Sequence, residues 1–465
     1  MMIFFYISFI IFVSYFVILM LYYLCLTLLG LREERRRAQQ HESEDYYSLL
    51  WSTFTIPVSI IIPAHNEETW ILDCVYSALN VNYPEFEVIV VDDESDDNTL
   101  KMLTDEMELE VTTNPYHDRF NSGKIKGLYR SKKYQNLTVM SKASGGKKAG
   151  AVNAALNLVR YKYVCTIDAD TIFEPDALLK VMAHVEKDPE GIVGIGSYCG
   201  LVNGFEVEKG KIIRRSFSYN PIVAYQNIEY LRSFIGNRIA WSRYNATPIV
   251  SGGFAIWRRD VIFEIGAFAP EYSSEDLEFS FRARRYMAEN KKKDYKIIIL
   301  PYCVGWTCGP DSIKTLIQQR DRWQRVGNET VWKYKDMLFN PKYGKFAFLV
   351  MPYFLLYEVL GVFVELASII VIIAGWLCGL LNVTQFLAFI LLIMFSQIVV
   401  SLLALYSYSR GERVFDIKYI SYLVFLTFFE SFFYRWLLLI ARLGGMWHYI
   451  RGVRTFDQFE RIRKR

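Results

Sequence analysis

The sequence predicts an α/β domain inserted between α-helical membrane segments, and two patterns in its 465 residues lead to this fold class. Residues 1–31 and 366–409 carry no charged side chain, and each stretch exceeds the ~20 apolar residues that cross a bilayer core. Between residues 56 and 310, short apolar runs bounded by turn residues alternate with longer amphipathic stretches, which is typical of βα units. The hydrophobic content of 52% argues against disorder, and its concentration in uncharged stretches argues against an ordinary soluble protein.

The charges indicate an orientation in the membrane. Lys and Arg total 53 against 49 Asp and Glu, so the net charge of +4 gives no reason to expect nucleic acid as a partner. The first apolar stretch is too long for a cleavable signal peptide and starts without a basic region, so we expect a permanent anchor. A basic cluster follows it directly, formed by Arg32, Arg35, Arg36 and Arg37. The positive-inside rule therefore predicts a multi-pass protein of the cell membrane whose α/β domain is cytosolic.

Seven cysteines are scattered without CxxC spacing or partner histidines, which indicates neither a zinc site nor a disulfide framework. The predicted segments are an N-terminal transmembrane helix at 1–31, an α/β domain at 52–310, an amphipathic interfacial region at 311–345, transmembrane or interfacial helices at 346–443, and a basic cytosolic tail at 444–465. Three C-terminal crossings would place that tail outside, so we expect one segment to lie in the interface or to re-enter. The segment 419–441 is the candidate.

Within the C-terminal block, residues 346–377 are expected to form one long helix or a helix broken at Pro352. Glu358 and Glu365 are nearly two turns apart and face the same way. Ionisable groups at membrane depth normally face a bundle interior or an aqueous path. They could line a channel with Glu430 and Arg435, or form interfacial or buried structural pairs.

The clearest predicted strands end in polar residues, and the apolar runs are continuous, as a parallel sheet covered on both faces requires. These strands, at 58–63, 86–91 and 163–167, run respectively into Ala64, His65, Asn66 and Glu67, into Asp92 and Asp93, and into Asp168 and Asp170. Weaker strands are expected at 137–140 and 192–195, and helices at 67–79 and 148–159. Ligands bind outside the carboxyl ends of strands in open α/β sheets. We therefore expect the three loops to converge on one crevice.

Two motifs in this region suit a diphosphate and a cation. Asp168 and Asp170 are two apart at a strand end and can share a hard cation, although aspartate is also common there for turn chemistry. Residues 144–153 form a glycine-rich turn that opens a helix and carries Lys148. Backbone amides and a lysine at a helix start suit phosphate oxygens. A surface loop is the alternative.

Two further motifs lie on predicted helices. Glu275 and Asp276 begin a helix, where an acid is often only a cap. Gln319, Arg322 and Trp323 occupy one face of another helix. Arginine forks onto phosphate and tryptophan offers a flat surface for a sugar ring. The alternative is a membrane-interface helix anchored by its tryptophan.

In this order the motifs, which span about Val58 to Trp323, resemble those of the inverting glycosyltransferases of family 2. They are most similar to the membrane-embedded processive branch, which contains cellulose, chitin, hyaluronan and poly-N-acetylglucosamine synthases. The resemblance implies a GT-A fold, the Rossmann-like fold of nucleotide-diphospho-sugar transferases. Two departures are Ser274, where the family commonly has Thr, and a longer, more basic stretch at 114–141.

The resemblance also assigns roles. Ten residues are implied to bind substrate. Ala64, Asn66, Glu67 and Asp93 would lie beside the uridine, Lys148 and Arg322 at the diphosphate, and Trp323 under the acceptor sugar. The remaining three are Asp168, Glu275 and Gln319. Asp168 and Asp170 would hold Mg²⁺ or Mn²⁺, and Asp276 would be the general base. Gly252 and Gly253 fall where relatives build the floor of the acceptor site.

The implied function is processive synthesis of a β-linked polysaccharide from UDP-GlcNAc or UDP-Glc at the membrane, with export of the product. The implied partners are the UDP-sugar donor, the growing glycan, the lipid bilayer, and accessory export or regulatory subunits. One alternative is a transferase that adds a single sugar to a lipid carrier. Another is a nucleotide-sensing scaffold with a decayed site, which the presence of Asp93, Asp168, Asp170, Asp276 and Arg322 disfavours.

Overall fold

The computed structural model describes residues 2–42, 45–52, 54–112, 116–120, 122–145, 147–290, 294–410 and 415–453. These residues group into two compact units. The α/β unit contains residues 40–218 and 247–310, and the helical unit contains residues 2–39, 219–246 and 311–453. Residues 219–246 therefore group with the helical unit, although the sequence range predicted for the α/β domain includes them. The tail from residue 454 onward lies outside the described residues.

Within the described residues, ten strands of the α/β unit form one mixed sheet and two more form a hairpin. The strands are β1 Val58–Ala64, β2 Phe86–Asp93, β3 Leu109–Val111, β4 Ile125–Ser131, β5 Leu137–Lys142, β6 Tyr163–Thr166, β7 Ile172–Phe173, β8 Ile192–Leu201, β9 Glu206–Glu208, β10 Lys211–Arg214, β11 Ala255–Arg258 and β12 Lys296–Thr307. The order in the sheet is β3-β4-β5-β2-β1-β6-β11-β8-β12-β7, and β9 pairs with β10.

The helices divide between the two units. The α-helices are α1 Met2–Glu42, α2 Ile71–Leu79, α3 Thr99–Glu106, α4 Lys147–Leu156, α5 Ala177–Lys187, α6 Pro221–Leu231, α7 Ile239–Arg243, α8 Arg259–Glu264, α9 Glu275–Glu289, α10 Ile313–Lys333, α11 Met351–Tyr353, α12 Gly361–Leu377, α13 Val383–Arg410, α14 Ile417–Thr427 and α15 Tyr434–Ile450. Wider π-helical turns occupy Arg232–Arg238, Phe346–Val350 and Phe354–Val359, and short 3₁₀ turns occupy Tyr46–Trp51, Lys335–Met337 and Pro341–Tyr343.

The strands predicted most clearly form the centre of the sheet. β1 pairs in parallel with β2 on one side and β6 on the other, and every residue of β1 is buried. Complete burial explains why these strands are apolar without alternation. The remaining pairings are mixed, because β11 runs antiparallel between β6 and β8, and β4 runs antiparallel to β5.

This topology brings several loops to one edge of the sheet. The strands β5, β2, β1 and β6 are parallel, so their carboxyl ends lie together. Because β11 is antiparallel to β6, its first residue Ala255 lies opposite Thr166, the last residue of β6. The segment just before β11 therefore reaches the same edge as the loop after β6.

The helical unit contains the apolar stretches. By length and composition, the described residues include two helices able to cross a membrane, 2–37 and 383–409, or three if the bent pair 346–359 and 361–377 counts as one span. The segment 419–441 is not a single spanning helix, because α14 has 11 residues and a turn separates it from α15.

The bend in the pair 346–377 measures 47° and lies at Leu360, not at Pro352. Pro352 lies inside α11, between two π-helical stretches. The backbone N–H of Leu360 donates to the carbonyl of Leu355 at 2.9 Å, one residue farther back than in an α-helix. Wide turns of this kind change the direction of a helix axis.

The four ionisable residues considered for a channel, Glu358, Glu365, Glu430 and Arg435, each have a partner in the structure. Arg232 forms two bonds to the Glu430 carboxylate, and Arg435 lies 3.3 Å from Glu365. The hydroxyl of Tyr353 donates to Glu358 at 2.6 Å. These contacts favour structural pairs over a row of free channel-lining charges, although the Arg435 side chain is partly exposed.

Candidate active site

The first part of the site is a buried ion pair set by strand register. Asp93 ends β2 and lies opposite Lys142, which ends β5. The Lys142 Nζ lies 2.6 Å from Oδ1 of Asp93, and both residues are buried. Burial raises the pKa of Asp93 above its ordinary value, and the Lys142 ammonium opposes that rise. The sheet itself therefore fixes this carboxylate at the carboxyl ends of β2 and β5.

The loop after β1 is tied to the loop after β2. Oδ1 of Asn66 accepts a bond from the backbone N–H of Asp96 at 2.8 Å, and the N–H of Glu67 donates to Oγ1 of Thr99 at 2.8 Å. The helix α2 begins at Ile71, later than the predicted start at residue 67. The structure thus brings Asn66 and Glu67, which follow the last β1 residue Ala64, to the edge of the sheet that carries Asp93.

Lys148, in the first turn of α4, joins two acidic segments. Its Nζ lies 2.6 Å from Oδ1 of Asp168 and 2.7 Å from Oε1 of Glu275. Burial alone would lower the pKa of Lys148, but the two carboxylates outweigh burial and raise the pKa above its ordinary value. The lysine therefore keeps its positive charge at neutral pH.

Asp276 is held through both carboxylate oxygens. Its Oδ1 accepts bonds from the Ser274 hydroxyl and the backbone N–H of Leu277, each at 2.8 Å. Its Oδ2 accepts from the backbone N–H of Gly252 at 3.1 Å. The side chain is half-buried. These bonds exceed what a simple helix cap requires, because one of them comes from a distant segment.

The acidic residues and the lysine converge at a glycine pair. A Cβ atom placed on Gly252 would meet three charged atoms, namely Nζ of Lys148 at 3.0 Å and Oδ2 of Asp276 and Oε1 of Glu275 at 3.5 Å each. A Cβ atom on Gly253 would lie 3.7 Å from Oδ2 of Asp168. Four predicted site residues therefore surround one backbone segment, the segment that precedes β11.

Asp168 and Asp170, which follow β6 and form a DxD pair (two aspartates separated by one residue), differ in their surroundings. Asp170 is buried beside the end of β12. Its Oδ1 accepts from the Thr307 hydroxyl at 3.0 Å and its Oδ2 from the backbone N–H of Cys308 at 3.3 Å. Among the described residues, no group of three or more His, Cys, Asp or Glu could hold a metal ion. Magnesium usually takes one or two carboxylates together with substrate phosphates. Two aspartates therefore fit a cation that binds with a diphosphate.

The residues Gln319, Arg322 and Trp323 lie on α10, in the helical unit, so the predicted helix is observed. The Ser312 side chain caps α10 by accepting from the backbone N–H of Thr315. Trp323 is 39% exposed. The structure groups these three residues with the membrane helices, not with the acidic residues of the α/β unit.

Three contributors to the site were not expected from the sequence. Lys142 follows the short apolar run 137–140, and a cation at the end of such a strand is a signal that could have found it. Thr307 and Cys308 carried no such signal, because their contact with Asp170 depends on where β12 ends.

An α/β sheet with a buried carboxylate after one strand, a DxD pair after another and a carboxylate at a helix start defines the GT-A class of nucleotide-sugar transferases. The Glycosyl transferase family 2 model matches residues 59–266, and the Glycosyl transferase family group 2 model matches residues 163–439. The second match covers more than half of the chain, and the chain belongs to glycosyl transferase family group 2. The family and fold class expected from the motifs are thereby confirmed.

Two named relatives and one solved structure are also similar to this chain. The chain is 26% identical over 275 residues to a poly-beta-1,6-N-acetyl-D-glucosamine synthase of Staphylococcus epidermidis, covering 59% of this chain and 55% of the relative. It is 23% identical over 310 residues to the synthase of that name in Staphylococcus aureus strain COL, covering 66% and 63%. The mannosyltransferase PcManGT from Pyrobaculum calidifontis, solved with GDP-Man and Mn²⁺, superposes with a TM-score of 0.57 and 17% identity over 95% of this chain and 99% of that chain.

The matched region thus spans little more than half of the first relative's length. The structural likeness, at low identity, supports the fold alone. Together with the apolar helices, these relatives support a location in the membrane.

Proposed function

We propose that the chain is a processive, inverting glycosyltransferase that polymerises a β-linked N-acetylglucosamine polysaccharide from UDP-GlcNAc at the membrane and exports the product. The observation that carries this proposal is the cluster around Gly252, where Lys148, Asp168, Glu275 and Asp276 face one segment. The names of the staphylococcal relatives support the sugar and the polymer. The basic cluster after α1 supports a cytosolic α/β unit.

The proposed reaction is a single displacement at the anomeric carbon of the donor. An acceptor hydroxyl oxygen forms the new bond to this carbon, its proton passes to a carboxylate oxygen of Asp276, and the bond to the UDP oxygen breaks. UDP leaves with the electron pair of that bond. The bonds to both oxygens of Asp276 orient the carboxylate before the acceptor arrives.

The donor end of the site is built from charged groups of the α/β unit. Asp93, fixed by Lys142, would contact the uridine, with Ala64, Asn66 and Glu67 beside it. Lys148 remains charged and would exchange part of its contact with Asp168 and Glu275 for diphosphate oxygens. Asp168 and Asp170 would hold Mg²⁺ or Mn²⁺, which neutralises negative charge on the leaving diphosphate when bound.

In this proposal, residues of the helical unit bind the acceptor sugar. By the family motif, Gln319 and Arg322 would bind donor or diphosphate and Trp323 would stack under the acceptor sugar. The apolar helices support a role in moving the polymer past lipid, because a polysaccharide made in the cytosol must cross the bilayer. Accessory export or regulatory subunits remain part of the proposal as partners.

The test uses purified full-length chain in lipid nanodiscs. Radiolabelled UDP-GlcNAc and, in parallel, UDP-Glc are supplied with Mg²⁺ or Mn²⁺, and products are sized before and after digestion with a glycosidase specific for β-1,6-linked N-acetylglucosamine. We expect a long product from UDP-GlcNAc alone that the glycosidase degrades. A short labelled glycolipid would instead identify a single-transfer enzyme acting on a lipid carrier, and no labelled product from either donor would reject the proposal.

A further inference from the structure

A network of charged and aromatic side chains surrounds Trp323 in the helical unit. The guanidinium carbon of Arg320 lies 4.1 Å from the centre of the Trp323 ring and stands over its face. Arg320 precedes Trp323 by three residues on α10, so the two side chains share one helix face. The ring of Tyr230 on α6 lies 6.4 Å from the Trp323 ring at an interplanar angle of 29°. The indole is therefore held between its own helix, through a planar cation, and a stacked tyrosine of α6.

Arg320 is itself held from two other helices. Its Nη1 donates to Oε1 of Glu229 on α6 at 2.6 Å, and its Nη2 lies 3.5 Å from the hydroxyl of Tyr434 on α15. That hydroxyl donates to the other Glu229 oxygen at 2.7 Å. Arg320 is 5% exposed, so its guanidinium is fixed on both of its terminal nitrogens and shielded from solvent.

Arg320 keeps its positive charge although it is buried. Burial alone would lower its pKa, but Glu229 and Tyr434 outweigh burial and raise the pKa above its ordinary value. A permanently charged, planar group is suited to stacking on an indole while donating hydrogen bonds in its own plane. Lysine could provide the charge but not the fork and the plane together.

We propose that Arg320, anchored by Glu229 and Tyr434, is the positioning residue that holds the partly exposed Trp323 indole, beside the stacked Tyr230 ring, in the orientation that receives the acceptor sugar. This inference rests on the proposed function, because it assigns the acceptor platform to Trp323. It makes Arg320, Glu229 and Tyr434 determinants of acceptor binding although none of them needs to touch the glycan.

The test compares Arg320→Met, which keeps the apolar stem, with Arg325→Met as a matched control. Arg325 lies on the same helix, is buried, and pairs with Asp321 at 2.8 Å. The KM for a short β-linked N-acetylglucosamine oligosaccharide and the KM for UDP-GlcNAc are measured on the full-length chain. We expect Arg320→Met to raise the acceptor KM about tenfold and the donor KM less than about twofold. Arg325→Met should leave the ratio of the two KM values unchanged.

A second readout does not depend on catalysis. Hydroxyl-radical oxidation of Trp323, followed by mass spectrometry, reports how well the indole is covered, and Trp332 on the same helix serves as an internal reference. We expect oxidation of Trp323 relative to Trp332 to rise about threefold or more in Arg320→Met and to stay constant in Arg325→Met. Arg320→Lys should recover only part of the protection.

The outcomes separate the two proposals. Unchanged Trp323 oxidation in Arg320→Met, or an equal rise in Arg325→Met, would overturn the positioning role. An inactive wild-type chain would reject the proposed function, while oxidation would still decide whether Arg320 holds the indole. If Arg320→Met does not fold, Tyr434→Phe removes one contact without changing charge, and a rise in acceptor KM of about twofold or more is expected. No rise in Tyr434→Phe would overturn the network.

Discussion

The backbone N–H of Gly252 donates a hydrogen bond to Oδ2 of Asp276 at 3.1 Å. This bond joins the segment before β11 to the first turn of α9, and its donor is a main-chain group. The carboxylate is thereby aimed from one side while Ser274 and Leu277 hold its other oxygen. A group aimed in this way is suited to accept a proton from a substrate in a fixed position.

Asp276→Asn should abolish sugar transfer, with a loss of about 10²–10⁴-fold, because the amide cannot accept the proton. UDP binding, measured by calorimetry, should change less than about threefold. Glu278→Gln is the matched control, since Glu278 is a buried acid in the same turn that pairs with Arg282. Near-normal turnover in Asp276→Asn would remove Asp276 as the base.

Gly252→Ala and Gly253→Ala should differ sharply in activity. The new methyl group on residue 252 would lie 3.0 Å from Nζ of Lys148, whereas on residue 253 its nearest neighbour is an ordinary 3.7 Å contact with Asp168. The Lys148 ammonium ends a flexible side chain, so it can move away without unfolding the protein. We expect turnover to fall about ten- to hundredfold in Gly252→Ala with an unchanged melting temperature, and little change in Gly253→Ala. Equal turnover in the two variants would contradict this account.

Lys142→Met should destabilise the α/β unit by about 3–5 kcal/mol, because it leaves the Asp93 carboxylate buried without its counter-charge. Burial already raises the pKa of Asp93 and Lys142 limits the rise, so the pKa should climb further in the variant. A group with a raised pKa in the folded state binds its proton more readily there than in the unfolded chain. The stability deficit should therefore shrink as the pH falls through that pKa and be largest above it.

Melting temperatures of the detergent-solubilised chain at neutral and mildly acidic pH measure this effect. Lys126→Met is the control, because Lys126 and Glu94 form an exposed pair that contributes little. A deficit in Lys142→Met that does not vary with pH would show that Asp93 is not the group left uncompensated.

Chelation of divalent cations by EDTA should reduce transfer at least about a hundredfold, and Mg²⁺ or Mn²⁺ should restore it. Asp170→Asn should lose the metal dependence of UDP binding as well as activity. Asp176→Asn is the comparison, since that carboxylate accepts bonds from Tyr47 and Asn82 and has no assigned role. UDP affinity that is equal with and without metal in the unchanged chain would exclude Asp168 and Asp170 as a metal site.

The sequence predicted those parts of the fold that depend on local pattern. The continuous apolar runs identified β1, β2 and β6, and the acids that follow them lie at one edge of the sheet, as expected. The approach of Gly252 to Asp276 was not predictable, because it depends on the antiparallel insertion of β11. The contact of Thr307 with Asp170 likewise depends on a long-range strand pairing.

In the membrane region, too, only the features that depend on local sequence could be predicted. Its apolar stretches were evident, but the bend at Leu360 was not, because proline suggested a break at Pro352 and π-helical turns leave no sequence signal. The partners of Arg320 come from α6 and α15, far away in the chain, so helical periodicity alone could place Arg320 beside Trp323 but could not find Glu229 or Tyr434.

The register of two neighbouring strands places Asp93 opposite Lys142. The orientation of the Asp276 carboxylate depends instead on the start of a helix and on the backbone of a single glycine. Under the proposed roles, binding of the nucleotide sugar depends on the first arrangement and transfer of the sugar on the second. A copy damaged at α9 would still capture nucleotide sugar and release it unchanged. Nucleotide binding and sugar transfer would therefore be lost through changes in different parts of the α/β unit.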